Sequence, residues 1–390
     1  MKILQVINLG YPVGGAEKSA CLIRDELRRR GHDVKILSSN TIGGGVKFSD
    51  YEFKSISQFS WLKLFHHLFY FRSYFKMRQI IKGFRPDVIH FHTIASSSPS
   101  VFFAIGRTPA IMTVHGPEEF IKELLPWFLP PSDYKGDLFI LSNLTMLGVL
   151  HYWYYCYIQK PIYRVGLSRV KVFIAPSQYL AKIIQSDVPI VKIRQLYNGI
   201  DLPTAQPLPE NFNILYAGRL EEVKGVDYLI KAFTGVVSRV PSARLRIAGD
   251  GSHKETLERL VFELNLGDYV TFCGKLGEKK LLEEYKNSIA LVIPSVWPEN
   301  LPTVCIEALA VGRVVIGTDV GGIPELIVDK ETGYLVSSKN VQELTEAIVK
   351  LFDNRQMLVS MSKAAQMSAA RFDIRNFVDK IESLYNKITL

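Results

Sequence analysis

The sequence has little cysteine. Four cysteines occur among its 390 residues, and none belongs to a Cys-x-x-Cys pair or to a cluster with histidine. Disulfide-stapled secreted domains and structural zinc sites both need such spacings, so the sequence argues against both. Scarce cysteine is typical of a protein from a reducing compartment, and we expect a cytoplasmic location.

Motifs of several other protein classes are missing as well. No Asp-x-Asp sequence occurs, so a metal holding a nucleotide diphosphate would have no obvious ligands, and we expect no metal site. His90 and His92 share one face of a predicted strand, but no third ligand is evident beside them. Neither a Walker loop nor a Gly-x-Gly-x-x-Gly pattern is present. The apolar stretch 3–7 is too short for a secretory signal.

Basic residues are concentrated in one half of the chain. Residues 1–200 carry 25 Lys and Arg against 13 Asp and Glu, a net charge of +12. Residues 201–390 carry 22 against 25, a net charge of −3, so all of the excess in the overall +9 lies in the first half. This asymmetry indicates that the first half meets nucleic acid, a membrane surface or an acidic substrate.

Short apolar runs alternate with helical stretches along the whole chain. Runs that are apolar throughout are typical of parallel strands covered on both faces. The predicted strands are 3–7, 34–38, 88–92, 110–115, 172–176, 213–217, 244–248, 270–273, 291–294, 314–318 and 334–336. A helix is expected at 16–30, ending before Gly31, and residues 201–210 form a linker with three prolines. The sequence therefore predicts two doubly wound α/β domains in tandem, residues 1–203 and 204–371, with the cleft between them as the ligand site.

Two glycines and a histidine of the first domain follow predicted strands. Gly14 and Gly15 lie between the first strand and the first helix, where glycine lets the backbone approach a ligand and the helix N-terminus favours an anion. A plain turn before a helix explains the same residues. His115 ends the fourth strand, where it is either a substrate contact or proton carrier or a merely packed histidine.

The second domain carries cations and carboxylates at equivalent positions. Arg219 and Lys224 follow its first strand and can clamp a diphosphate, although two solvated surface cations would look alike. Glu299 follows a later strand, Pro302 is expected at position N1 of the next helix, and Glu307 is expected about one turn into it. Carboxylates suit sugar hydroxyls, and the free amides at a helix N-terminus suit phosphates. In the alternative interpretation, Glu299 only caps the helix and Glu307 is solvated on its surface.

Two segments of the first half break the α/β pattern. Residues 53–86 contain seven Lys or Arg, no acidic residue and ten aromatics, whereas residues 138–159 contain no charged side chain. The second segment is long enough to span a bilayer, but its polar and aromatic residues favour a buried or interfacial helix. Basic residues interleaved with aromatics suit an anionic membrane surface, and an amphipathic helix packed on the sheet is the alternative. A solvated nucleic-acid groove would be less apolar, so we expect no nucleic-acid partner.

Taken together, these motifs resemble the retaining glycosyltransferases of family 4, which have the GT-B fold. The resemblance covers most of the chain and is carried in order by Gly14-Gly15-Ala-Glu17, His115-Gly116, Asn198-Gly-Ile-Asp201, Gly218-Arg219 with Lys224-Gly225, Glu299-x7-Glu307, and Gly321-Gly-Ile-Pro-Glu325. It implies two Rossmann-like parallel-sheet domains facing across a cleft, with a C-terminal helix at 372–390 crossing back to the first. One departure is Arg313, which follows Gly312 where the family usually has Pro, and we expect its role to be structural.

The resemblance also implies roles for the site residues. Arg219 and Lys224 would bind the donor diphosphate, Glu299 the donor sugar, Glu307 the ribose, and His115 the sugar near the acceptor. Gly15 would let its loop close over the diphosphate, and the base would lie by Gly274, Lys275 and Leu276. The implied catalytic residues are His115, Arg219, Lys224 and Glu299. The implied donor-binding residues are Gly14, Gly15, Arg219, Lys224, Gly274, Lys275, Leu276, Glu299, Asn300, Leu301, Pro302, Thr303 and Glu307.

The expected function is therefore retaining, metal-independent transfer of a sugar from a nucleotide-diphosphate donor, UDP- or GDP-linked, with no further cofactor. The acceptor would be a glycan or a lipid-linked molecule in polysaccharide or glycolipid biosynthesis. The enzyme would be peripheral on the inner face of the cell membrane, bound through residues 53–86 and 138–159. The alternatives are a non-catalytic, membrane-docking sugar-nucleotide binder and a sugar-nucleotide epimerase of the same architecture.

Overall fold

The computed structural model describes residues 1–12, 14–41, 46–55, 66, 68–94, 98–116 and 144–390. The chain divides into two compact units: a first unit of Met1–Gly199 with Ile374–Leu390, and a second unit of Ile200–Asp373. Each unit is an α/β domain built on a parallel sheet. The predicted pair of Rossmann-like parallel-sheet domains is confirmed.

The strands are β1 (Lys2–Leu9), β2 (Asp33–Ser39), β3 (Tyr51–Phe53), β4 (Val88–Phe91), β5 (Ala110–Thr113), β6 (Val172–Ala175), β7 (Ile193–Gln195), β8 (Asn213–Ala217), β9 (Arg244–Ala248), β10 (Val270–Gly274), β11 (Ala290–Ile293), β12 (Val314–Thr318) and β13 (Gly333–Val336). The helices are α1 (Gly15–Arg29), α2 (Phe71–Phe84), α3 (Ser100–Ala104), α4 (Met146–Tyr154), α5 (Lys160–Leu167), α6 (Gln178–Asp187), α7 (Val226–Arg239), α8 (Lys254–Glu263), α9 (Glu278–Lys286), α10 (Thr303–Val311), α11 (Val341–Asp353), α12 (Arg355–Ala369) and α13 (Ile374–Thr389). A π-helical segment, Tyr155–Gln159, joins α4 to α5.

The sheet of the first unit has the strand order β3-β2-β1-β4-β5-β6-β7. Its central strands β4, β5 and β6 are buried at every residue, which explains why their sequences are apolar at nearly every position. The C-terminal helix α13 covers one face, where Phe377 and Ile381 pack with Ile23 and Leu27 of α1. Each such side chain contributes about 1.5–3 kcal/mol when fully buried.

Ion pairs fasten α13 to the end of α1. Arg30 donates to Asp379 at 2.5 Å and also to Glu382, while His32 contacts Glu382 at 2.6 Å. Gly31, directly after the helix end, has φ +86°, the left-handed conformation that the sequence indicated for this position. The C-terminal segment is therefore an integral layer of the first unit.

The sheet of the second unit has the order β10-β9-β8-β11-β12-β13. Its core combines the strands with α7, α11 and α12, and Phe233 and Ile348 are among its fully buried side chains. The order reverses between β8 and β11, which are neighbours in the sheet although two strands separate them in sequence. Such a reversal opens a crevice at the carboxyl ends of the two strands.

Several details differ from the sequence-based expectations. The three-residue edge strands β3 and β7 were not predicted, and β5 ends at Thr113 instead of at residue 115. Edge strands of three residues carry too few side chains to show a pattern. Pro302 is the N-cap of α10 and not its first helical residue, because its ψ of 112° is extended.

The two unusual segments lie partly outside the described residues. Of the stretch 53–86, residues 56–65 and 67 fall outside, and of the stretch 138–159, residues 138–143 do. The described parts contain α2 in the first segment and α4 with the π-helical segment in the second. Among the described residues, no helix combines the length and the apolar character that crossing a membrane would need.

Candidate active site

The loops after β8 and β11 of the second unit flank the point where the strand order reverses. Residues 218–225 follow β8, and residues 294–302 follow β11 and lead into α10. Because the two strands are hydrogen-bonded neighbours, their loops meet at one edge of the sheet. The predicted cation loop and the predicted carboxylate loop are thus brought together.

Lys224 and Glu299 form the centre of this site. The Lys224 Nζ atom donates to Glu299 Oε1 at 2.5 Å, across 75 residues of sequence. Ser295 Oγ donates to the same oxygen at 2.9 Å. Less than a fifth of either charged side chain is exposed. No described residue donates to the other carboxylate oxygen, Oε2, so one oxygen of Glu299 is held and the other remains available as an acceptor.

Backbone contacts hold Glu299 and Lys224 in place. Gly322 N donates to Glu299 O at 2.7 Å. Gly321 has φ +61°, and a Cβ there would lie 2.2 Å from the same carbonyl oxygen, so only glycine fits. Gly225 has φ +66°, and its Cβ would lie 2.1 Å from Pro294 O. The two glycine motifs therefore bring the loops into close backbone contact.

Arg219 is close in sequence to Lys224 but forms its ion pair with a different carboxylate. Its guanidinium pairs with Glu221 at 2.6 Å, and 62% of its side chain is exposed. The Tyr216 hydroxyl donates to Arg219 O at 2.8 Å and fixes the backbone beneath it. Burial raises the pKa of Tyr216, with Glu299 and Glu221 adding to the shift, so this hydroxyl stays a donor. A surface arginine of this kind is free to rotate toward a ligand.

Gly274 is the last residue of β10, and Lys275 and Leu276 follow it at the same edge of the sheet. Gly274 O accepts from Gly249 N at 2.9 Å. A Cβ at Gly249 would lie 1.8 Å from Gly218 O, so the loops after β8, β9 and β10 touch through backbone atoms. Lys275 is exposed and Leu276 half-buried. In the sheet, β9 separates these residues from the loop after β8 that carries Arg219.

The first turn of α10 supplies backbone amides. Cys305 N donates to Pro302 O at 3.0 Å, the first bond of the helix. The amides of Thr303 and Val304 precede it and have no acceptor within the helix, as in any helix N-terminus. Asn300 is half-buried and Leu301 is 8% exposed. The positive end of this helix therefore begins at Thr303, in the loop region that carries Glu299.

Glu307 is held by a tyrosine from the preceding helix. Tyr285 Oη lies 3.0 Å from Glu307 Oε2 and 3.3 Å from Val304 O, so its single proton is shared between them. Tyr285 is 2% exposed. Burial, and then the Glu307 carboxylate, raise the pKa of Tyr285, so the hydroxyl remains protonated and donates to the carboxylate.

Arg313, which stands where the family usually has Pro, supports Tyr285 by a hydrogen bond to its backbone. Its fully buried guanidinium donates to Tyr285 O and Pro207 O, both at 2.8 Å. Burial, and then the nearby charge of Arg355, lower the pKa of Arg313 to about 10. Carbonyl acceptors compensate for the buried charge, so the side chain joins the 201–210 linker to the end of α9. This is the structural role that the sequence predicts.

The glycine loop of the first unit caps α1. Gly14 is the N-cap, and its N–H donates to Glu17 Oε2 at 3.1 Å. Burial raises the pKa of Glu17, against the opposing effect of its backbone hydrogen bonds. A Cβ at Gly15 would meet no atom within 4 Å, so the amide end of the helix is approachable at that position.

His115 belongs to a stack of three histidines in the first unit. Its Nε2 lies 2.9 Å from His92 Nδ1, and the His92 ring stacks on His90 at 4.2 Å between ring centroids. Burial lowers the pKa of His115 to about 4 and that of His90 to about 3, so the rings are neutral at neutral pH. Among the described residues, no group of three His, Cys, Asp or Glu is arranged to hold a metal.

Sequence reasoning missed four contributors: Tyr216, Tyr285, Ser295 and His92. Ser295 directly follows the apolar run that ends at Pro294, so its position after a strand was a usable signal. Tyr285 lies at the end of an ordinary amphipathic helix, and nothing local distinguishes it from a core tyrosine. His92 was considered only as a metal ligand.

Two family models match the two halves of the chain. Residues 13–203 match Glycosyltransferase Family 4, and residues 203–368 match Glycosyl transferases group 1. An uncharacterized glycosyltransferase of Haemophilus influenzae is 24% identical over 96% of this chain and 97% of its own length. A D-inositol 3-phosphate glycosyltransferase of Corynebacterium aurimucosum is 31% identical over 44% of this chain, and the match spans 42% of that relative.

Solved structures share the fold over nearly the full length. Sucrose-phosphate synthase from Thermosynechococcus elongatus has a TM-score of 0.77 at 19% identity, covering 99% of this chain and 98% of its own. Anabaena HepE, solved in complex with UDP-glucose, has a TM-score of 0.70 at 20% identity, covering 99% of this chain and 100% of its own. The GT-B fold expected from the resemblance is confirmed.

Proposed function

We propose, from the premise that this chain is a family 4-like glycosyltransferase with the GT-B fold, that it is a retaining enzyme of polysaccharide or glycolipid biosynthesis. Its donor is a nucleotide-diphosphate sugar and its acceptor a glycan or a lipid-linked molecule. The observation that carries this proposal is the Lys224–Glu299 contact at the strand-order reversal of the second unit. The Lys224 cation there suits the diphosphate of such a donor, and the anchored Glu299 carboxylate suits the hydroxyls of its sugar.

Lys224 acts on the departing diphosphate. As the glycosidic bond breaks, negative charge grows on the phosphate oxygen, and a cation held in advance stabilises it. The amides at the start of α10 and the exposed guanidinium of Arg219 act on the same charge. Glu299 Oε2 accepts hydrogen bonds from the donor sugar hydroxyls, because Oε1 is already held by Lys224 and Ser295.

The nucleotide is held by Glu307 and by the residues at the end of β10. The Glu307 carboxylate accepts from the ribose hydroxyls, and the base lies against Gly274, Lys275 and Leu276. Anabaena HepE, which shares the fold, binds UDP and UDP-glucose, and this supports a UDP-linked donor. A GDP-linked donor is the other member of the class we propose.

The acceptor hydroxyl attacks the donor sugar from the same face that the phosphate leaves, so the configuration at the reacting carbon is retained. The departing phosphate oxygen takes the proton of the acceptor hydroxyl, and the cations balance its charge without a metal in the proposed step. The reaction class is tested by incubating the enzyme with a panel of nucleotide sugars and a glycolipid extract, with mass spectrometry as the readout. Transfer or slow donor hydrolysis is expected, whereas an epimerised nucleotide sugar as the product would contradict the proposal.

Helix α2 offers a basic and aromatic surface in the first unit. Phe71 and Phe75 are more than 60% exposed. Arg72, Lys76 and Lys82 lie on the same helix, which has no acidic residue. Exposed aromatic rings among cations suit the headgroup region of an anionic membrane, which supports a membrane-bound acceptor.

Helix α4 and the π-helical segment expose apolar side chains at helical spacing. Met146, Leu150, Trp153 and Tyr157, separated by four, three and four residues, are 84%, 54%, 53% and 67% exposed. This spacing places them along one side of the helix. We propose that this stripe enters the interface of the cytoplasmic leaflet while α2 meets its anionic headgroups, so that the enzyme is a peripheral membrane protein of the cytoplasm.

Charge reversal on α2 tests the membrane surface. Arg72→Glu, Lys76→Glu and Lys82→Glu in one variant are expected to lower the fraction that sediments with anionic liposomes, because each cation near such a surface contributes about 1 kcal/mol. The control reverses the exposed cations Arg259, Lys350 and Lys363 of the second unit. Equal sedimentation of both variants would assign α2 a packing role only.

The apolar stripe is tested separately. Leu150→Ser with Trp153→Ser is expected to weaken binding to neutral as well as anionic liposomes, since the burial of apolar area does not depend on lipid charge. Unchanged binding to both liposome types would exclude insertion of this helix.

Tyr285→Phe tests how Glu307 is held. The substitution removes the hydrogen bond to Glu307, and a bond to a charged group is worth about 1.5–3 kcal/mol. The Michaelis constant for the donor is expected to rise about 10-fold, with a smaller change in kcat. Tyr269→Phe is the matched control, because this half-buried tyrosine lies before β10 and under Arg244. A donor Michaelis constant equal to that of the wild type would show that Glu307 needs no support from Tyr285.

A further inference from the structure

His92 and His115 form a direct ring-to-ring hydrogen bond in the first unit. His92 follows β4 and is fully buried, whereas His115 follows β5 and is partly exposed. The two nitrogens, His92 Nδ1 and His115 Nε2, lie 2.9 Å apart. Because both rings are neutral, one of these nitrogens carries a proton and the other accepts it.

The surroundings of His92 decide which nitrogen is the donor. Its other nitrogen, Nε2, is buried and has no partner among the described residues. If His115 were the donor, His92 would carry its proton on Nε2, as a buried N–H with no acceptor. Orphaned buried N–H groups are rarer than unfilled acceptors, so the proton of His92 belongs on Nδ1.

His90 holds this pair from the core side. Its Nδ1 contacts Tyr385 Oη of α13 at 2.7 Å, and its Nε2 contacts Thr113 Oγ1 at 2.8 Å. With both nitrogens bonded, the ring cannot turn, and His92 stacks on it with 29° between the ring planes. The orientation of His92 is therefore set by packing and not only by its bond to His115.

We propose that His92 is a positioning residue that fixes His115 as the Nδ1–H tautomer, so that His115 serves as a hydrogen-bond donor and not as a general base. The lone pair of Nε2 is occupied by the His92 proton, and Nδ1 already carries a proton, so neither nitrogen can take one from an acceptor hydroxyl. The role of this tautomer in transfer rests on the proposed function, but the tautomer itself is independent of it.

The tautomer is tested by nuclear magnetic resonance on the full-length protein labelled with ¹⁵N-histidine and free of ligand. In the wild type, His115 is expected to show a pyrrole-type shift at Nδ1 and a pyridine-type shift at Nε2. His92→Asn retains a donor near the position of Nδ1 and should preserve this pattern. His92→Phe removes the donor and should shift His115 toward the other tautomer. A wild-type His115 protonated on Nε2 would overturn the proposal.

Activity is the second readout. His92→Phe is expected to lower kcat/KM for transfer about 5-fold to 10-fold, the effect of one lost neutral hydrogen bond. His92→Asn should stay within about 2-fold of the wild type. Equal losses in the two variants, or no loss in His92→Phe, would overturn the positioning role. Failure of the proposed function is distinct, because a wild type with no transfer activity would still show its tautomer by resonance.

Discussion

Replacement of Lys224 by alanine is expected to lower kcat/KM for sugar transfer by a factor of about 10²–10³. The reason is that the ammonium group is held 2.5 Å from Glu299 before the donor arrives, so it needs no reorganisation when charge develops on the leaving phosphate. The loss should fall mainly on kcat, because the contact strengthens as the bond breaks. Steady-state kinetics with the donor identified by mass spectrometry measures it.

Lys231 provides the matched control for Lys224. It lies on α7 and pairs with Asp227 at 3.4 Å on an exposed helix face. Lys231→Ala removes the same charge and side chain but should leave transfer unchanged, since exposed pairs of this kind are worth about 0.3–0.5 kcal/mol. Circular dichroism and thermal melting check that Lys224→Ala still folds. A folded Lys224→Ala enzyme with the activity of the wild type would refute the assigned role.

Glu307→Gln is expected to weaken binding of the donor about 100-fold. A carboxylate that accepts from two ribose hydroxyls contributes about 1.5–3 kcal/mol for each charged hydrogen bond, and an amide accepts more weakly. Tyr285 would still donate to the amide oxygen, so the fold around α10 is preserved. Isothermal titration with the nucleoside diphosphate of the donor measures the change.

A deoxy nucleotide separates ribose binding from other roles of Glu307. The wild type should bind the 2′-deoxy nucleoside diphosphate more weakly than the ribose form, whereas Glu307→Gln should distinguish them far less. This double-mutant cycle isolates the contact between the carboxylate and the ribose. Glu258→Gln, on an exposed pair with Lys254, is the matched control. Equal discrimination by the wild type and Glu307→Gln would place the ribose elsewhere.

Most of the fold could be predicted from local sequence. The central strands β4, β5 and β6 are apolar at nearly every position because helices cover both faces of the sheet, and this pattern is visible in the chain. The edge strands β3 and β7 were missed because three residues cannot show a period. Pro302 was placed one position too far into α10, since its fixed φ suits both the N-cap and N1.

The site was predictable in composition but only partly in arrangement. Lys224 and Glu299 each follow a strand, and parallel strands end at a common edge, so their proximity could be expected. The structure adds that they form a direct contact, with Ser295 on the same oxygen. Arg219, predicted to clamp a diphosphate together with Lys224, forms an ion pair with Glu221 in this structure. That choice depends on side-chain rotation at a surface, which the order of residues does not encode.

The chain order of this protein determined its two parallel sheets, its helix ends and the positions after strands where its chemistry lies, because backbone preference and hydrophobic period act over a few residues. Only the tertiary structure decided the contacts between distant residues: Tyr285 on Glu307, Arg313 on the linker, and Tyr385 on His90 beneath His92 and His115. These bonds join residues that lie 22 to 295 positions apart in the sequence. They form because packing buries polar atoms that must then find partners, and which partner is within reach is settled only when the helices dock on the sheets.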